Sequence, residues 1–483
     1  MSQRVFRLTF LPVLMALAVA GCSLAPKYER PVAPIPTQYP DQPDGTQAVD
    51  PGVAASAELG WRHFFRDPQL VALIGIALDN NRDMRVAVQR VQEARAQYGI
   101  ADSGRYPTIG VGGNAQIQHN PPDLRSSRGS STDSVSRYYQ AGVGMTSFEL
   151  DFFGRIKNLS QAAYQQFLAT EQAQRTVHIN LIAQVAEAYF GLRAAEQQRA
   201  LTSQTLAARE KSYSLVNSTF KAGVASALDL NQAKTQLDSV RADLATVKRT
   251  EARAQNALLL LLGESIPQNV PKAAVFDQNQ LLAAIPVGLP SDLLQRRPDI
   301  LGAENALLAA NANIGAARAA FFPNISMTGL LGFASPALGG LFSSGNYFWS
   351  FAPQIQAPIF SGGSLSGNLD LAKARKNIAV AQYEKAIQTA FREVADALAG
   401  EATYFHQLDA LRSFEQSASE TLRLAQLRYD SGVDSFLQVQ TAEISLYTAQ
   451  QSLLQTGLDS LTNRVELYKA LGGGWLKDSV ATR

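Results

Sequence analysis

The chain contains two similar copies of one long segment, and this internal duplication constrains its fold more than any other feature. A shift of 209 residues aligns Val185-Ala186-Glu187-Ala188 with Val394-Ala395-Asp396-Ala397. A shift of 216 residues aligns Tyr106-Pro107-Thr108-Ile109 with Phe322-Pro323-Asn324-Ile325. Copies at a nearly fixed offset indicate that one structural unit was duplicated. Each half is therefore predicted to fold in the same order: helix, two strands, long helix, turn, helix.

The predicted boundaries follow from this plan. The first repeat covers 61–263, a connector 264–289, the second repeat 290–472 and a C-terminal tail 473–483. In the first repeat we predict strands at about 106–118 and 138–150 and helices at about 154–222 and 226–262. In the second repeat we predict strands at about 323–333 and 347–360 and helices at about 364–431 and 435–471.

The long helices are predicted to pack as coiled coils. Between 160 and 220 there is one glycine, Gly191, and no proline, and an uninterrupted helix of this length spans about 90 Å. After each turn, apolar residues alternate spacings of three and four, at Leu230, Ala233, Leu237, Val240, Leu244 and Val247, and again at Val439, Ala442, Leu446, Ala449 and Leu453. A seven-residue repeat keeps one seam facing a partner helix and implies supercoiling.

The four predicted strands alternate apolar and polar residues. The apolar positions are Ile109, Val111, Ala115 and Ile117; Tyr139, Ala141, Val143 and Met145; Ile325, Met327, Leu331 and Phe333; and Tyr347, Trp349, Phe351, Ile355 and Ile359. Period-two alternation indicates two-sided strands. A soluble β-sandwich with an aromatic core shows similar short alternations, so this alternative stays open on the strands alone.

Aromatic residues gather near both ends of these strands. They are Tyr138, Tyr139, Tyr347, Phe348 and Trp349 beside the loops, and Tyr106, Phe152, Phe153, Phe321, Phe322 and Phe360 at the opposite end. Two aromatic girdles flanking an apolar band are typical of transmembrane barrels. The sequence therefore predicts an α+β membrane protein with four transmembrane strands per chain.

Four strands leave two open edges, which are not tolerated facing lipid, so several copies must share one barrel. Two copies give eight strands with a filled interior, while three copies give twelve strands and a wider lumen. An open conduit favours three or more copies.

The N-terminus is typical of a lipoprotein. Arg4 and Arg7 precede an apolar run too short to span a bilayer, which predicts a signal peptide at 1–21. Small residues stand directly before Cys22, the only cysteine, and lipoprotein processing attaches lipid to a thiol in this context. We therefore expect a diacylglycerol and an N-acyl chain on Cys22, followed by an extended lipid-anchored segment at 22–60. By resemblance to bacterial lipoproteins, Ser23 rather than aspartate after the cysteine favours the outer membrane.

Composition and motifs argue against other functions. The net charge is +2 with no block of lysine or arginine, so no nucleic-acid partner is indicated. The four histidines, His63, His119, His178 and His406, lie far apart with no carboxylate or cysteine at metal-ligand spacing. We find no catalytic constellation and expect neither an enzyme nor a bound cofactor or metal.

The two inter-helix turns share one pattern. Gly223, Val224, Ala225 and Ser226 form the first, and Gly432, Val433, Asp434 and Ser435 form the second. Glycine supplies a left-handed helix cap, and the serines can accept a backbone N–H to start the next helix. These residues alone favour a simple connector over a docking tip, since glycine and serine are standard helix caps.

Several longer stretches carry a family resemblance. They are Gly288-Leu-Pro-Ser-Asp-Leu-Leu-Gln-Arg-Arg-Pro-Asp-Ile300, Asn313-Ile-Gly-Ala-Ala-Arg-Ala-Ala-Phe-Phe-Pro323, Tyr383-Glu-Lys-Ala-Ile-Gln-Thr-Ala-Phe391 and Leu471-Gly-Gly-Gly-Trp475. With the duplicated plan, they make the mature chain resemble the TolC family of outer-membrane efflux channels, specifically its OprM-like lipoprotein branch.

The resemblance implies a homotrimer with a twelve-stranded barrel that continues into a periplasmic helical tunnel closed at its tip. It implies a passive exit duct that works with a periplasmic adaptor (membrane fusion) protein and an inner-membrane pump of the resistance-nodulation-division type to expel drugs and other toxic amphiphiles. In such channels the two turns dock the adaptor.

The family's tip gate maps onto Asp229 and Tyr429, whose side chains can form a hydrogen bond between neighbouring helices. At a second constriction the family often has carboxylates, whereas Gln438 and Thr441 stand here and Leu437 remains as an apolar ring. Asp229 aligns with Gln438 and Ala225 with Asp434, so the tip is predicted to differ between halves.

Two rival functions remain on sequence grounds. The chain is alternatively a lipid-anchored coiled-coil scaffold of the envelope without transport, or an envelope enzyme. The absence of a convergent acid, base or nucleophile in the sequence argues against the enzyme.

Overall fold

The computed structural model describes residues 23–40, 59–119, 121, 135–274, 276–277, 280–281 and 290–478. The predicted signal peptide at 1–21, Cys22 and most of 275–289 lie outside these residues. The chain forms two compact units. The first comprises 1–31, 92–170 and 303–382, and the second comprises 32–91, 171–302 and 383–483.

The helices follow the duplicated order. They are α1 (Trp61–Phe64), α2 (Pro68–Asn80), α3 (Arg82–Ser103), α4 (Arg155–Lys221), α5 (Ala227–Leu262), α6 (Leu293–Arg296), α7 (Pro298–Ala319), α8 (Ser364–Asp430) and α9 (Phe436–Ala470). Helices α4 and α8 contain 67 residues each. Two short 3₁₀ turns lie at Pro290–Asp292 and Leu338–Gly340. None of the helices in the described ranges combines the length and apolar character needed to cross a membrane.

One antiparallel sheet carries the strands in the order β1-β2-β3-β4. Their bounds are β1 (Ile109–His119), β2 (Val135–Leu150), β3 (Asn324–Ser335) and β4 (Tyr347–Gln356). A bulge between Met145 and Phe148 shifts the register of β2 against β3, and Ser147 within it has a φ of 51°. The strand expected at about 347–360 ends earlier, at Gln356, before Pro358.

In the second unit, the apolar seams of the two long hairpins are buried. Ala233 and Leu237 of α5, and Val439, Ala442 and Ala449 of α9, are each at most 5 % exposed. Val216 of α4 joins Ala233, Val439 and Ala442 in one apolar cluster near the turns. The seven-residue pattern in the sequence therefore corresponds to packed positions in the structure.

The core of the second unit is built around aromatic residues. Phe64 of α1 stacks on Tyr468 of α9 with ring centroids 4.0 Å apart. The Tyr468 hydroxyl donates a hydrogen bond to the Leu59 carbonyl. At the start of α2, the buried Asp67 accepts hydrogen bonds from the Gln69 backbone N–H and the Tyr189 hydroxyl. Residues distant in sequence are thus joined by both packing and hydrogen bonds.

In the first unit, residues 23–31 form an N-terminal strap along α7. Glu304 of α7 accepts hydrogen bonds from the Tyr28 hydroxyl and, through both carboxylate oxygens, from Arg30. Farther along α7, Asn311 donates to the Pro26 carbonyl. A Cβ added to Gly315 would lie 2.7 Å from the Ala25 nitrogen, so glycine is needed for this close approach.

Candidate functional site

The turn between α4 and α5 is closed at both helix ends. Gly223 has a φ of +79°, and the Val224 N–H donates to the Thr219 carbonyl across it. The Ser226 hydroxyl accepts the Asp229 N–H, while the Asp229 carboxylate accepts the Ser226 N–H at 3.0 Å. This reciprocal capping box satisfies two helix-end donors. Asp229 therefore stabilises the start of α5 within its own chain.

The turn between α8 and α9 uses different side chains. Gly432 has a φ of +72° and the same backbone closure, from the Val433 N–H to the Arg428 carbonyl. The cap expected from the Ser435 side chain is wrong: in the described residues of this turn it makes no such bond. The residue aligned with Asp229 is Gln438, and Arg428 instead forms an ion pair with Asp434.

The tips of both turns are apolar and exposed. Val224 is 81 % and Val433 63 % exposed, whereas Ala225 packs against the apolar cluster around Val216. An exposed valine at each tip gives an apolar contact point, and only the second tip adds a guanidinium and a carboxylate beside it.

The two expected gate residues, Asp229 and Tyr429, interact electrostatically. Tyr429 packs edge-on against Phe436 with ring centroids 5.6 Å apart. Burial, and then the negative charges of Asp229 and Asp430, raise the pKa of the Tyr429 phenol. The Asp229 carboxylate itself is bonded to the Ser226 hydroxyl.

The expected second constriction lies on α9. Leu437 is 49 % exposed, and Gln438 and Thr441 are also exposed. The Thr441 hydroxyl donates to the Leu437 carbonyl within the helix. These three side chains therefore present an uncharged surface.

The sheet register places the predicted apolar residues on one face. Val111 pairs with Val143, Val143 with Leu331, and Leu331 with Trp349, so four strands contribute to one apolar row. The pairing places the other predicted apolar strand residues on this same face. Ile359 is the exception, because it lies after the end of β4. Because side chains alternate across a strand, the residues between them form the opposite face.

The opposite face of the sheet is mostly polar or small, with Leu330 and Phe348 as its large apolar residues. It consists of Gly110, Gly112, Asn114, Gln116 and Gln118 of β1, Ser136, Tyr138, Gln140, Gly142, Gly144 and Glu149 of β2, Asn324, Ser326, Thr328, Leu330, Gly332 and Ala334 of β3, and Phe348, Ser350, Ala352, Gln354 and Gln356 of β4. Of the aromatic residues beside the loops, Tyr138 and Phe348 thus lie on the polar face. Tyr139, Tyr347 and Trp349 lie on the apolar face.

Some side chains that the sequence did not single out are buried ionic groups of the second unit. Arg209 of α4 forms an ion pair with Glu443 of α9, with the two side chains 5 % and 11 % exposed. Arg297 donates to Asp299 and Glu393. In each case at least one ionic partner lies about a hundred or more residues away in the sequence. Local periodicity therefore does not predict these ion pairs.

A pair of carboxyl groups is also partly buried in the second unit. Burial, and then the neighbouring Glu466, raise the pKa of Glu187 to about 8. Although burial opposes it, hydrogen bonds from Glu187 and Lys469 lower the pKa of Glu466. The pair therefore holds one proton at neutral pH, on Glu187.

Chemistry elsewhere in the described residues is sparse. They contain no group of three or more His, Cys, Asp or Glu side chains suited to hold a metal ion. His178 is buried against Trp475, with ring centroids 5.1 Å apart, and burial lowers its pKa. Its surroundings are those of a packing residue.

Comparisons with known proteins agree with this geometry. Residues 73–264 and 289–473 match the family described as outer membrane efflux protein. The chain is 47 % identical over 466 residues to the solvent efflux pump outer membrane protein SrpC of Pseudomonas putida, covering 96 % of this chain and 98 % of the relative. It is 46 % identical to the antibiotic efflux pump outer membrane protein ArpC of the same species, covering 96 % and 95 %.

A solved structure has the same fold. The open state of the MtrE outer membrane channel of Neisseria gonorrhoeae is 38 % identical, with a TM-score of 0.85 over 95 % of this chain and 100 % of that one. The resemblance drawn from the sequence motifs is thereby confirmed.

Proposed function

Because the chain belongs to the outer membrane efflux protein family, we propose that three copies of it close one twelve-stranded barrel, continued by a periplasmic helical tunnel. The protein is the outer-membrane exit duct of an efflux system. Its family is one of outer-membrane channels and not a class of enzymes. The proposal concerns how the chain assembles, is anchored and is gated to perform that role.

The two-faced sheet is the observation that carries the proposed barrel. One face of the described strands is mostly apolar and the other is mostly polar or small, as a barrel wall between lipid and water requires. In the four-stranded sheet, β1 and β4 are edges. Unpaired backbone groups are too unfavourable in lipid to remain open, so the edges of neighbouring copies pair.

The N-terminal strap supports the proposed lipid anchor on Cys22. Ser23, the next residue, donates its hydroxyl to Asn158 near the start of α4. Because α4 begins five residues after β2 ends, this contact lies beside the junction of sheet and helix. Acyl chains on Cys22 would then enter the membrane next to the barrel without a free linker.

The proposed partners act at the tip. The exposed Val224 and Val433 make the two turns suitable for an adaptor protein, and an inner-membrane resistance-nodulation-division pump would supply the energy. Since relatives are named for antibiotic and solvent efflux, the cargo we propose is antibiotics and other toxic amphiphiles. The channel itself uses no cofactor in this proposal.

The proposed gate is a contact between the Tyr429 phenol and the Asp229 carboxylate of a neighbouring helix. The negative charge of Asp229 raises the pKa of the Tyr429 phenol within one chain, and this electrostatic coupling supports the proposed contact. A phenol bonded to a carboxylate contributes about 1.5–3 kcal/mol, and three such contacts would hold a closed ring.

Conductance of single channels in planar bilayers tests the proposal. Tyr429→Phe removes the hydroxyl and keeps the packing on Phe436, so we expect it, alone or with Asp229→Ala, to raise the open probability. Ser226→Ala is the matched control, since it removes the helix cap but leaves both gate groups in place.

An increase that Ser226→Ala reproduces in full would assign the effect to helix capping and contradict the gate. If no variant conducts ions at all, the chain is a lipid-anchored scaffold instead. Drug susceptibility after deletion, with each candidate pump present or absent, identifies the pump.

A further inference from the structure

One arginine lies on the mostly apolar face of the sheet. Arg137 of β2 pairs with Ile117 of β1, and Tyr139 follows two residues later, so all three side chains share that face. Among the described strand residues of this face, Arg137 is the one arginine, lysine, aspartate or glutamate. A cation on a surface that meets lipid is unfavourable unless it reaches a polar group at the membrane boundary.

Arg137 lies at the end of the sheet that is opposite to the long helices. Helices α3 and α7 lead into β1 and β3, while β2 and β4 lead out into α4 and α8, so the β1–β2 and β3–β4 connections share the other end. Arg137 is the third residue of β2, directly after the first of these connections. In the proposed barrel, whose helices are periplasmic, this end lies in the outer leaflet.

No acidic side chain of the described residues forms an ion pair with Arg137, which is exposed. The helix end of the same sheet differs, because the Arg155 guanidinium there binds both oxygens of Glu149, at 2.8 and 2.5 Å. His119 pairs with Val135 on the face of Arg137, and its ring nitrogen is a second donor near the connection. This end of the apolar face therefore offers donors to an anion.

An apolar surface continues beside these donors. The connection between β3 and β4 begins after Ser335, the partner of Tyr139. Its Phe342 packs edge-on against Phe333 of the apolar face, with ring centroids 5.6 Å apart, and is 71 % exposed. Residues 336–346 include no charged side chain. The connection therefore extends the apolar face toward the membrane boundary.

We propose that this end of the apolar face binds a phosphate-bearing lipid of the outer leaflet, with the Arg137 guanidinium on the phosphate and the acyl chains along the apolar face. Guanidinium and phosphate form paired, charge-assisted hydrogen bonds. The proposal rests on the proposed function, because the apolar face meets lipid only if copies close the barrel. Since β2 lies between β1 and β3, each copy carries a complete site.

Native mass spectrometry of the whole protein, extracted from outer membranes as an assembled trimer, tests the proposal by counting bound lipid. The probes are lipid A, a phosphorylated glycolipid of the outer leaflet, and the same lipid A after enzymatic removal of its phosphates. We expect one copy of lipid A per chain at saturation, and binding of the dephosphorylated form weaker by at least about fivefold. Excess inorganic phosphate should not displace lipid A, because it has no acyl chains.

Substitutions separate the two parts of the site. Arg137→Gln should weaken the binding of lipid A by at least about fivefold and leave that of the dephosphorylated form unchanged, whereas Arg137→Lys keeps the charge and most of the affinity. Phe342→Ser should weaken both lipids alike, because it removes apolar surface. Arg392→Gln is the matched control, since the Arg392 side chain is 71 % exposed on α8, outside the sheet.

Failure of the inference and failure of the proposed function give different results. Equal binding of the two lipids by the unsubstituted trimer, undiminished lipid A binding by Arg137→Gln, or displacement of lipid A by inorganic phosphate excludes the site and leaves the barrel intact. If Arg137→Gln does not assemble, the two lipids on the unsubstituted trimer decide. A chain that forms no trimer in the outer membrane contradicts the proposed barrel, and the site fails with it.

Discussion

Arg209 and Glu443 form a buried ion pair that joins the first half of the chain to the second. The Ser212 hydroxyl also donates to Glu443, and one turn away Thr202 and Tyr447 share a hydrogen bond of 3.0 Å. These contacts form a polar line within the packing of α4 against α9. Removing a single partner leaves the other charge buried without compensation.

We predict that Glu443→Ala destabilises the folded protein by about 3–5 kcal/mol, whereas Arg209→Met with Glu443→Leu is neutral or stabilising. The reason is that Glu443→Ala leaves the Arg209 guanidinium buried without a partner, whereas the double substitution removes both charges. Chemical unfolding of all three variants checks this. Equal losses in the single and double variants would mean that packing volume, and not charge, dominates at this site.

The carboxyl pair makes stability depend on pH. The folded pKa of Glu187, about 8, lies above its ordinary value of 4.5, so the folded state holds a proton that the unfolded state releases. The contribution of Glu187 to stability is then fully present below about pH 4.5 and is lost as the pH rises through about 8. Glu466, with its lowered pKa, is ionised in both states across that window.

We predict that Glu187→Gln removes much of this decline, because glutamine keeps a neutral donor for Glu466. At pH 9 the variant should unfold at least about 2 °C above the unsubstituted protein, with no such gain at pH 5. Glu210→Gln, on the same helix but 52 % exposed, serves as the control. A gain of equal size at both pH values would exclude titration of Glu187 as the cause.

Local residue patterns predicted side-chain contacts between residues that are neighbours in sequence. The cap by Ser226 follows from its position before α5, and the structure has it. The same expectation failed at Ser435, because the Gln438 N–H donates to the Ser435 backbone carbonyl and not to its hydroxyl. Glu187, Arg209 and Arg297 were not predicted as ionic partners, since no periodicity connects residues so far apart in the chain.

At the scale of elements, the motifs that carried the family resemblance have physical causes. In Leu471-Gly-Gly-Gly-Trp475, which we term the C-terminal clasp, the chain reverses after α9. A Cβ on Gly473 would lie 2.2 Å from the Tyr468 ring. Trp475 then packs between His178 and Arg175, whose guanidinium is 5.0 Å from the indole centre. Glycines are needed in the clasp both for the close approach to Tyr468 and for the backbone conformation of the turn.

We predict that Gly473→Ala destabilises the second unit by about 1–3 kcal/mol, because the methyl group must displace a fully packed tyrosine ring. Gly339→Ala is the control, since a Cβ there meets nothing within 4 Å. Thermal unfolding compares them. If the two substitutions have the same effect, the clasp is looser than its geometry implies.

Periodicity predicted helices and strands but not their ends or the irregular connections. The start of β2 at Val135 and the bulge at Ser147 follow from pairing with β1 and β3, which alternation does not encode. The N-terminal strap has no periodic pattern and depends on single contacts such as those of Glu304. Contacts between residues distant in sequence therefore determine the element ends and the irregular connections, which periodicity does not predict.

At the scale of the whole molecule, duplication does not mean equivalence. Both halves supply two strands to one sheet and one helical hairpin, yet the first turn has a capping box and the second an ion pair. Around a three-fold axis, the two halves would alternate as six similar but unequal positions. An adaptor docking there, as proposed, would meet two kinds of site.

The membrane position of the molecule is tested by two adjacent leucines of β3 that lie on opposite faces. Leu331 pairs with Val143 and Trp349 on the apolar face, while Leu330 pairs with Gly144 and Ser350 on the polar face. An arginine facing lipid is unfavourable by up to about 2–4 kcal/mol per copy at the bilayer centre and by less beside the aromatic girdle, and the proposed trimer would carry three such residues.

We therefore predict that Leu331→Arg sharply reduces the amount of trimer recovered from outer membranes, whereas Leu330→Arg assembles and shifts ion selectivity toward anions. Because the two substitutions are chemically identical and one residue apart, strand propensity and synthesis affect both alike. Unheated gel electrophoresis measures the trimer, and bilayer recordings measure selectivity. Normal assembly of Leu331→Arg with loss of Leu330→Arg would reverse the two faces, and with them the lining of the duct.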